Sequence, residues 1–265
     1  MATVYRIGKR KIESEGKKKD KQLEKCLNRP YKWLQKKFKK DEVLSNLEGY
    51  LIILDEELPL GCARTEREER IIRIGVSEHS YPFSLPAVER NLSHESIHVL
   101  RGDTPYETPD EIAREEGAAM FGELLYGIER GGEVAEKIFS WLIKYKPYSY
   151  NSWNGFHSKA FEKEFGNYSK NSEVSVHCKE VIAHLYLGGL AMYLDLANSY
   201  GVNRVLRDIP FLVTPKDFEE KYGKPCYKWM PNCLFDKEEF SKYLNLLEYK
   251  AKKRRRFFPI SPRAF

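Results

Sequence analysis

What this chain has little of limits what it can be. None of its 265 residues lie in a run of eighteen uncharged apolar residues, so no membrane-spanning helix is predicted. The N-terminus, Met1-Ala2-Thr3-Val4-Tyr5-Arg6, has no apolar signal-peptide core, and a cytoplasmic protein is expected. There the five cysteines stay reduced by default. Cys226 and Cys233 are too far apart for a zinc ribbon. No internal repeat is visible. Histidine is also scarce, at six residues, so any ordered pair of histidines carries information.

Charge is plentiful, with a net +6, and it gathers at the ends. Lys17-Lys18-Lys19 and Lys36-Lys37-Phe38-Lys39-Lys40 lie near the start, and Lys252-Lys253-Arg254-Arg255-Arg256 lies in the tail. Tyr31, Trp33, Phe257 and Phe258 lie among these runs, a mixture that can contact nucleic-acid phosphates and bases. We read the runs first as a solvated, solubilising face, with nucleic acid as the alternative partner they allow.

The densest chemical signal is His94-Glu95-Ser96-Ile97-His98. Two histidines four apart share one helical face, so both imidazoles reach a single metal ion. The intervening Glu95 is then placed to act as a base on water instead of ligating. Ser84 and Pro86 predict a helix start, and Arg101-Gly102 a basic last turn with a glycine stop. The motif therefore falls in mid-helix.

A hydrolytic zinc site needs a third protein ligand and an open position. Thr108-Pro109-Asp110-Glu111 reads as a capping box opening a helix through Tyr126 that Gly127 ends. The short connection makes this helix an antiparallel neighbour of the first. Glu116 shares a stripe with Ile112, Ala119 and Glu123, and a carboxylate on a partly apolar face demands a partner. Glu116 is the expected third ligand and Glu115 its alternate. Read without the upstream motif, both would be ordinary solvated charges.

His94-Glu95-Ser96-Ile97-His98, followed after seventeen residues by Glu116-Gly117-Ala118-Ala119, resembles the gluzincin group of zinc metallopeptidases. The resemblance covers roughly residues 50 to 127. It implies His94, His98 and Glu116 as zinc ligands and Glu95 as general base. The compact core resembles the minigluzincins. It is also similar to the ImmA/IrrE-like proteases, although Phe121-Gly122-Glu123-Leu124-Leu125 departs from their spacing by one residue. Gluzincins commonly place an oxyanion-stabilising Tyr or His on a later helix. The helix expected from Val174 to Asn198 offers His177, His184, Tyr186 and Tyr193, of which His184 and Tyr186 are the candidates. SprT-like proteases, which work on proteins bound to nucleic acid, normally take a third histidine, and no His is suitably placed here.

The expected fold class is α+β: mostly helical, with a small antiparallel sheet packed on the zinc-binding helix and an antiparallel ligand helix. Tyr50 to Leu54, Leu58 to Thr65 and Glu69 to Val76 are the strand candidates, one of them at an edge where an extended peptide could pair. We divide the chain into a basic helical segment (1–49), broken near Asn28-Arg29-Pro30, and a metallopeptidase core (50–130). A helical part (131–250) forms the other cleft wall, and a basic tail (251–265) follows. The part from 131 holds a long loop from Lys146 to Asn171, with His157, and a last helix capped by Asp236. The expected function is zinc-dependent hydrolysis of peptide or protein substrates. The alternative is a basic nucleic-acid- or protein-binding protein with a non-catalytic motif.

Overall fold

Apolar residues at alternate positions build the centre of a sheet. In the computed structural model, which describes residues 3–15, 20–38, 41–58, 62–76, 85–104, 109–134 and 183–223, Ile52, Leu54, Ile72 and Ile74 are buried. Their neighbours Ile53 and Arg73 turn to the opposite face and stay partly exposed, as the strand period of two requires. That outer face mixes apolar and charged side chains: Arg73 pairs with Asp55 at 3.5 Å and with Glu66 at 2.9 Å.

Five strands form the sheet: β1 (Thr3–Ile7), β2 (Ile12–Ser14), β3 (Leu51–Asp55), β4 (Ala63–Glu66) and β5 (Ile71–Gly75), in the order β2-β1-β3-β5-β4. The fold is α+β and mostly helical, with a small sheet. The sheet is mixed, whereas the sequence suggested antiparallel pairing alone: β3 and β5 run parallel and the other neighbours antiparallel. The reason is the β4–β5 hairpin. Because β4 reverses the chain before β5 and takes its outer edge, β5 meets β3 running the same way. The hairpin turns at Arg70, whose φ of 56° is left-handed for a non-glycine residue. Its guanidinium bonds the Glu48 carbonyl and lies 5.0 Å from the Tyr50 ring centroid.

The N-terminal segment is not only helical. Tyr5, Ile7 and Ile12 are buried in β1 and β2, and β1 pairs with β3. These strands are too short, and too interrupted by charge, to show a period in the sequence. Helix α1 (Lys21–Lys37) follows, and it runs straight through Pro30 instead of breaking there. Proline removes one backbone donor. Tertiary contacts on the same face offset it: Leu27, Tyr31 and Leu34 are buried, and Asn28 bonds both the amide and the carbonyl of Ile12 at 2.9 Å. Lys21, Lys25, Lys32 and Lys36 form an exposed stripe on the other side. A short helix, α2 (Asp41–Ser45), leads into β3.

Helix α3 (Leu85–Arg101) carries the histidine motif and packs on β4, β5 and α1. It ends at Gly102, whose φ of 68° suits the left-handed stop read from the sequence. Helix α4 (Pro109–Arg130) passes its expected stop at Gly127 and ends at Gly131, φ 67°. Its last turn is held by partners: Tyr126 bonds Glu89, and Arg130 bonds the same carboxylate at 2.7 Å. Ile97 meets Gly122, His94 meets Glu123 and Glu89 meets Arg130, so this end of α4 runs antiparallel to α3.

Two compact units divide the chain, and each is described by itself. The first comprises residues 1–103 and 122–137; the second comprises 104–121 and 138–265. In the second, the first part of α4 packs against α5 (Gly189–Tyr200), which a π-helical turn (Ala183–Gly188) precedes. There follow α6 (Val202–Asp208), a 3₁₀ turn (Ile209–Phe211) and α7 (Pro215–Tyr222). Gly117 and Gly189 bring α4 and α5 together backbone to backbone: a Cβ on Gly189 would stand 1.9 Å from the Ala113 carbonyl oxygen. Phe121 stacks on Tyr193 at 6.0 Å, and Tyr193 meets Phe218 edge-on at 6.0 Å.

The Thr108 capping box, the Ser84 cap, the loop from Lys146 to Asn171, His157, His177, the Asp236 cap, both Cys226 and Cys233, and the tail lie outside the described residues. Among the described residues, no helix is long and apolar enough to cross a membrane.

Candidate metal centre

Helical spacing brings His94 and His98 onto one face of α3, and their Nε2 atoms converge to 3.2 Å. Two nitrogens bound tetrahedrally to zinc, at the usual bond length, stand about 3.3 Å apart. The separation of the histidine pair is therefore that of two nitrogens on one ion. Glu95 completes the group: the candidate ligating atoms of His94, Glu95 and His98 all lie within 4.8 Å of one another.

The tautomer of His94 is set from behind. Its Nδ1 lies 2.8 Å from Glu123 Oε2 on α4. A carboxylate accepts, so Nδ1 is the donor of this contact, and in the neutral ring Nε2 then has its lone pair free for a metal. Glu123 is itself buried, and Arg90 faces its other oxygen at 3.3 Å. The sequence placed Glu123 on the Glu116 stripe and gave it no role. The signal was there: it stands two helical turns after Glu116, on the same face.

Glu95 is 6% exposed, and its carboxylate accepts a 2.7 Å hydrogen bond from the Thr65 hydroxyl of β4. Two more contacts join α3 to the same hairpin: Asn91 donates to the Cys62 carbonyl at 3.4 Å, and Arg67 donates to the His98 carbonyl at 3.3 Å. Residue numbers rise together along both elements, so β4 runs parallel to α3 and follows the motif turn by turn. Among the described residues β4 is one of the sheet's two edges. In the sequence Thr65 only ends a strand candidate and Arg67 belongs to a polar turn; their contacts with α3 depend on which strand is laid beside it.

Behind the site, Glu89 is a buried carboxylate on α3, 1% exposed, held by Arg29 at 3.2 Å, by Arg130 at 2.7 Å and by Tyr126. Burial first, then the adjacent Glu89 charge, pushes the Tyr126 phenol well above its ordinary range. The Cys26 thiol, which donates to the Leu85 carbonyl at 3.2 Å, is pushed up to about 12 by the same two causes in the same order. This cluster fixes α1 and α4 against the motif helix.

The remaining site candidates belong to the second unit. Glu115 and Glu116 are buried on α4, Glu116 beside the Gly117 crossing. Tyr186 is partly exposed within the π-helical turn, three residues before Gly189. Of His184 only the backbone is described, in that same turn. Tyr193 is buried between Phe121 and Phe218, a core position.

No protein-family model matches the chain, and neither a curated protein nor a solved structure is significantly similar to it.

Proposed function

We propose that this protein is a zinc-dependent metallopeptidase. The observation that carries the reading is the convergence of the His94 and His98 Nε2 atoms at 3.2 Å, with Glu95 in the same group and Glu123 fixing the His94 tautomer. A structural zinc is usually closed by four protein ligands, often cysteines, whereas this group sets a buried carboxylate beside two imidazoles.

His94 and His98 hold the ion through Nε2, and Glu116, from the gluzincin resemblance, is the third ligand. Bound zinc supplies Lewis acidity and makes water acidic enough to ionise near pH 7, about its catalytic range. Glu95 takes a proton from water on its carboxylate and later passes it to the departing amine nitrogen. Tyr186 or His184 is the proposed donor to the oxyanion. An extended peptide would pair with the edge of β4, which follows the motif helix. A cytoplasmic setting, with peptide or protein substrates, belongs to the same proposal.

Metal analysis by mass spectrometry on wild type, His98→Ala and Glu116→Ala tests the ligand set. About one zinc per wild-type chain, lost in both variants, is expected for a three-ligand site. Wild type without zinc after reconstitution overturns the reading, and the motif is then that of a non-catalytic binding protein. Peptide-library cleavage by wild type, abolished in Glu95→Gln with zinc retained, tests the chemistry.

A further inference from the structure

We infer that Thr65 is the positioning residue for the Glu95 base, so that the edge strand β4 and the base move as one unit. The inference rests on the metallopeptidase reading and adds a residue to it. Glu95 is buried, and a buried carboxylate needs a hydrogen-bond partner. Thr65 supplies it at 2.7 Å to Oε2. The same hydroxyl lies 3.5 Å from the Glu95 main-chain carbonyl, at the outer limit of a hydrogen bond. A hydroxyl has one proton, and the shorter contact takes it. With Oε2 occupied, Oε1 is left to exchange protons.

The contact reaches from sheet to helix, and that gives it consequence. Thr65 is paired with Ile72 of β5, which is fully buried, so its backbone is anchored on the inner side. Among the described residues its outer side is the sheet edge. Asn91 to Cys62 and Arg67 to His98 bracket the Thr65 contact one turn before and one turn after. Any chain that pairs with β4 therefore loads the strand whose side chain aims the base. Substrate docking and base alignment are linked through one hydroxyl.

The test uses the full chain loaded with cobalt(II), whose visible absorption reports ligand binding, and acetohydroxamate as probe. On binding, the hydroxamate O–H bond breaks, its oxygen ligates the metal, and the proton passes to the Glu95 carboxylate. Hydroxamate affinity thus reads the alignment of Glu95 without turnover. Thr65→Val keeps the shape and removes the donor; Thr65→Ser keeps the donor. We expect one cobalt in all three proteins, hydroxamate Kd weakened about tenfold in Thr65→Val, and recovery in Thr65→Ser, as loss of one hydrogen bond to a charged group implies. In the zinc enzyme, kcat should fall by a similar factor with KM nearly unchanged. Thr65→Val binding hydroxamate like wild type, with cobalt bound in both, overturns the positioning role and leaves the metallopeptidase reading standing. Wild type that takes up no cobalt overturns the metal reading, and this inference with it.

Discussion

His94 Nδ1 and Glu123 Oε2 stand 2.8 Å apart, across the interface between the motif helix and the antiparallel end of α4. This one contact sets the tautomer, orients the ring and ties the two helices together. Arg90 Nε faces the other oxygen of the same carboxylate at 3.3 Å.

Glu123→Gln should therefore weaken zinc binding by about 10- to 100-fold, the usual effect of losing a carboxylate behind a ligating histidine. The amide can still accept from Nδ1, so zinc should still fill the site at saturation. Competition with a chromophoric chelator measures the affinity. Unchanged affinity would show that Glu123 does not tune His94.

Glu89→Ala removes the shared partner of Arg29, Arg130 and Tyr126. Breaking a buried pair costs about 3–5 kcal/mol when the abandoned charge is sealed from water. Here the Arg29 and Arg130 side chains are 39% and 36% exposed and can turn outward. Solvent screening brings the expected loss down to about 2 kcal/mol, measured by urea unfolding. Zinc stoichiometry should be unchanged at low denaturant.

Gly189→Ala tests the backbone crossing of the second unit. The new methyl would stand 1.9 Å from the Ala113 carbonyl oxygen and 2.7 Å from Gly117 Cα. Neither is the end of a flexible side chain, so the helices must separate. A loss of about 1–3 kcal/mol or more is expected from such overpacking, read as a lower thermal midpoint. Gly102→Ala, where nothing lies within 4 Å, should cost only the strain of its left-handed φ of 68°.

Alkaline pH should loosen the cluster around Glu89. Cys26 and Tyr126 are both raised in the folded state, Cys26 to about 12. A raised folded value means the folded state holds its proton more tightly than the unfolded chain does. The stability this contributes is complete below the ordinary thiol value of about 8.5, and it is lost as pH climbs toward about 12. Iodoacetamide at pH 8.5 should label exposed Cys62 and spare buried Cys26. Labelling of Cys26 should rise together with loss of helical circular dichroism between about pH 10 and 12. Equal labelling of both at pH 8.5 would contradict the burial of Cys26.

The sequence alone determined those features that rest on local periodicity. A four-residue spacing puts His94 and His98 on one face of any helix, so their convergence was legible before the fold was known. Gly102 as a helix stop was readable from a left-handed terminator, and β3 as a strand from its apolar run, whereas the alternation of β5 was imperfect in the sequence. Only the tertiary structure decided what spacing cannot encode. Pro30 sits inside α1 because Asn28 and Tyr31 make contacts far along the chain that offset one lost donor. Gly127 does not end α4 because Tyr126 and Arg130 are held by Glu89. Thr65 and Glu123 acquire their roles from a strand and a helix laid on either side of α3, about thirty residues away in each direction. A sequence states which face a residue occupies on its own element. Packing between elements decides what that face meets.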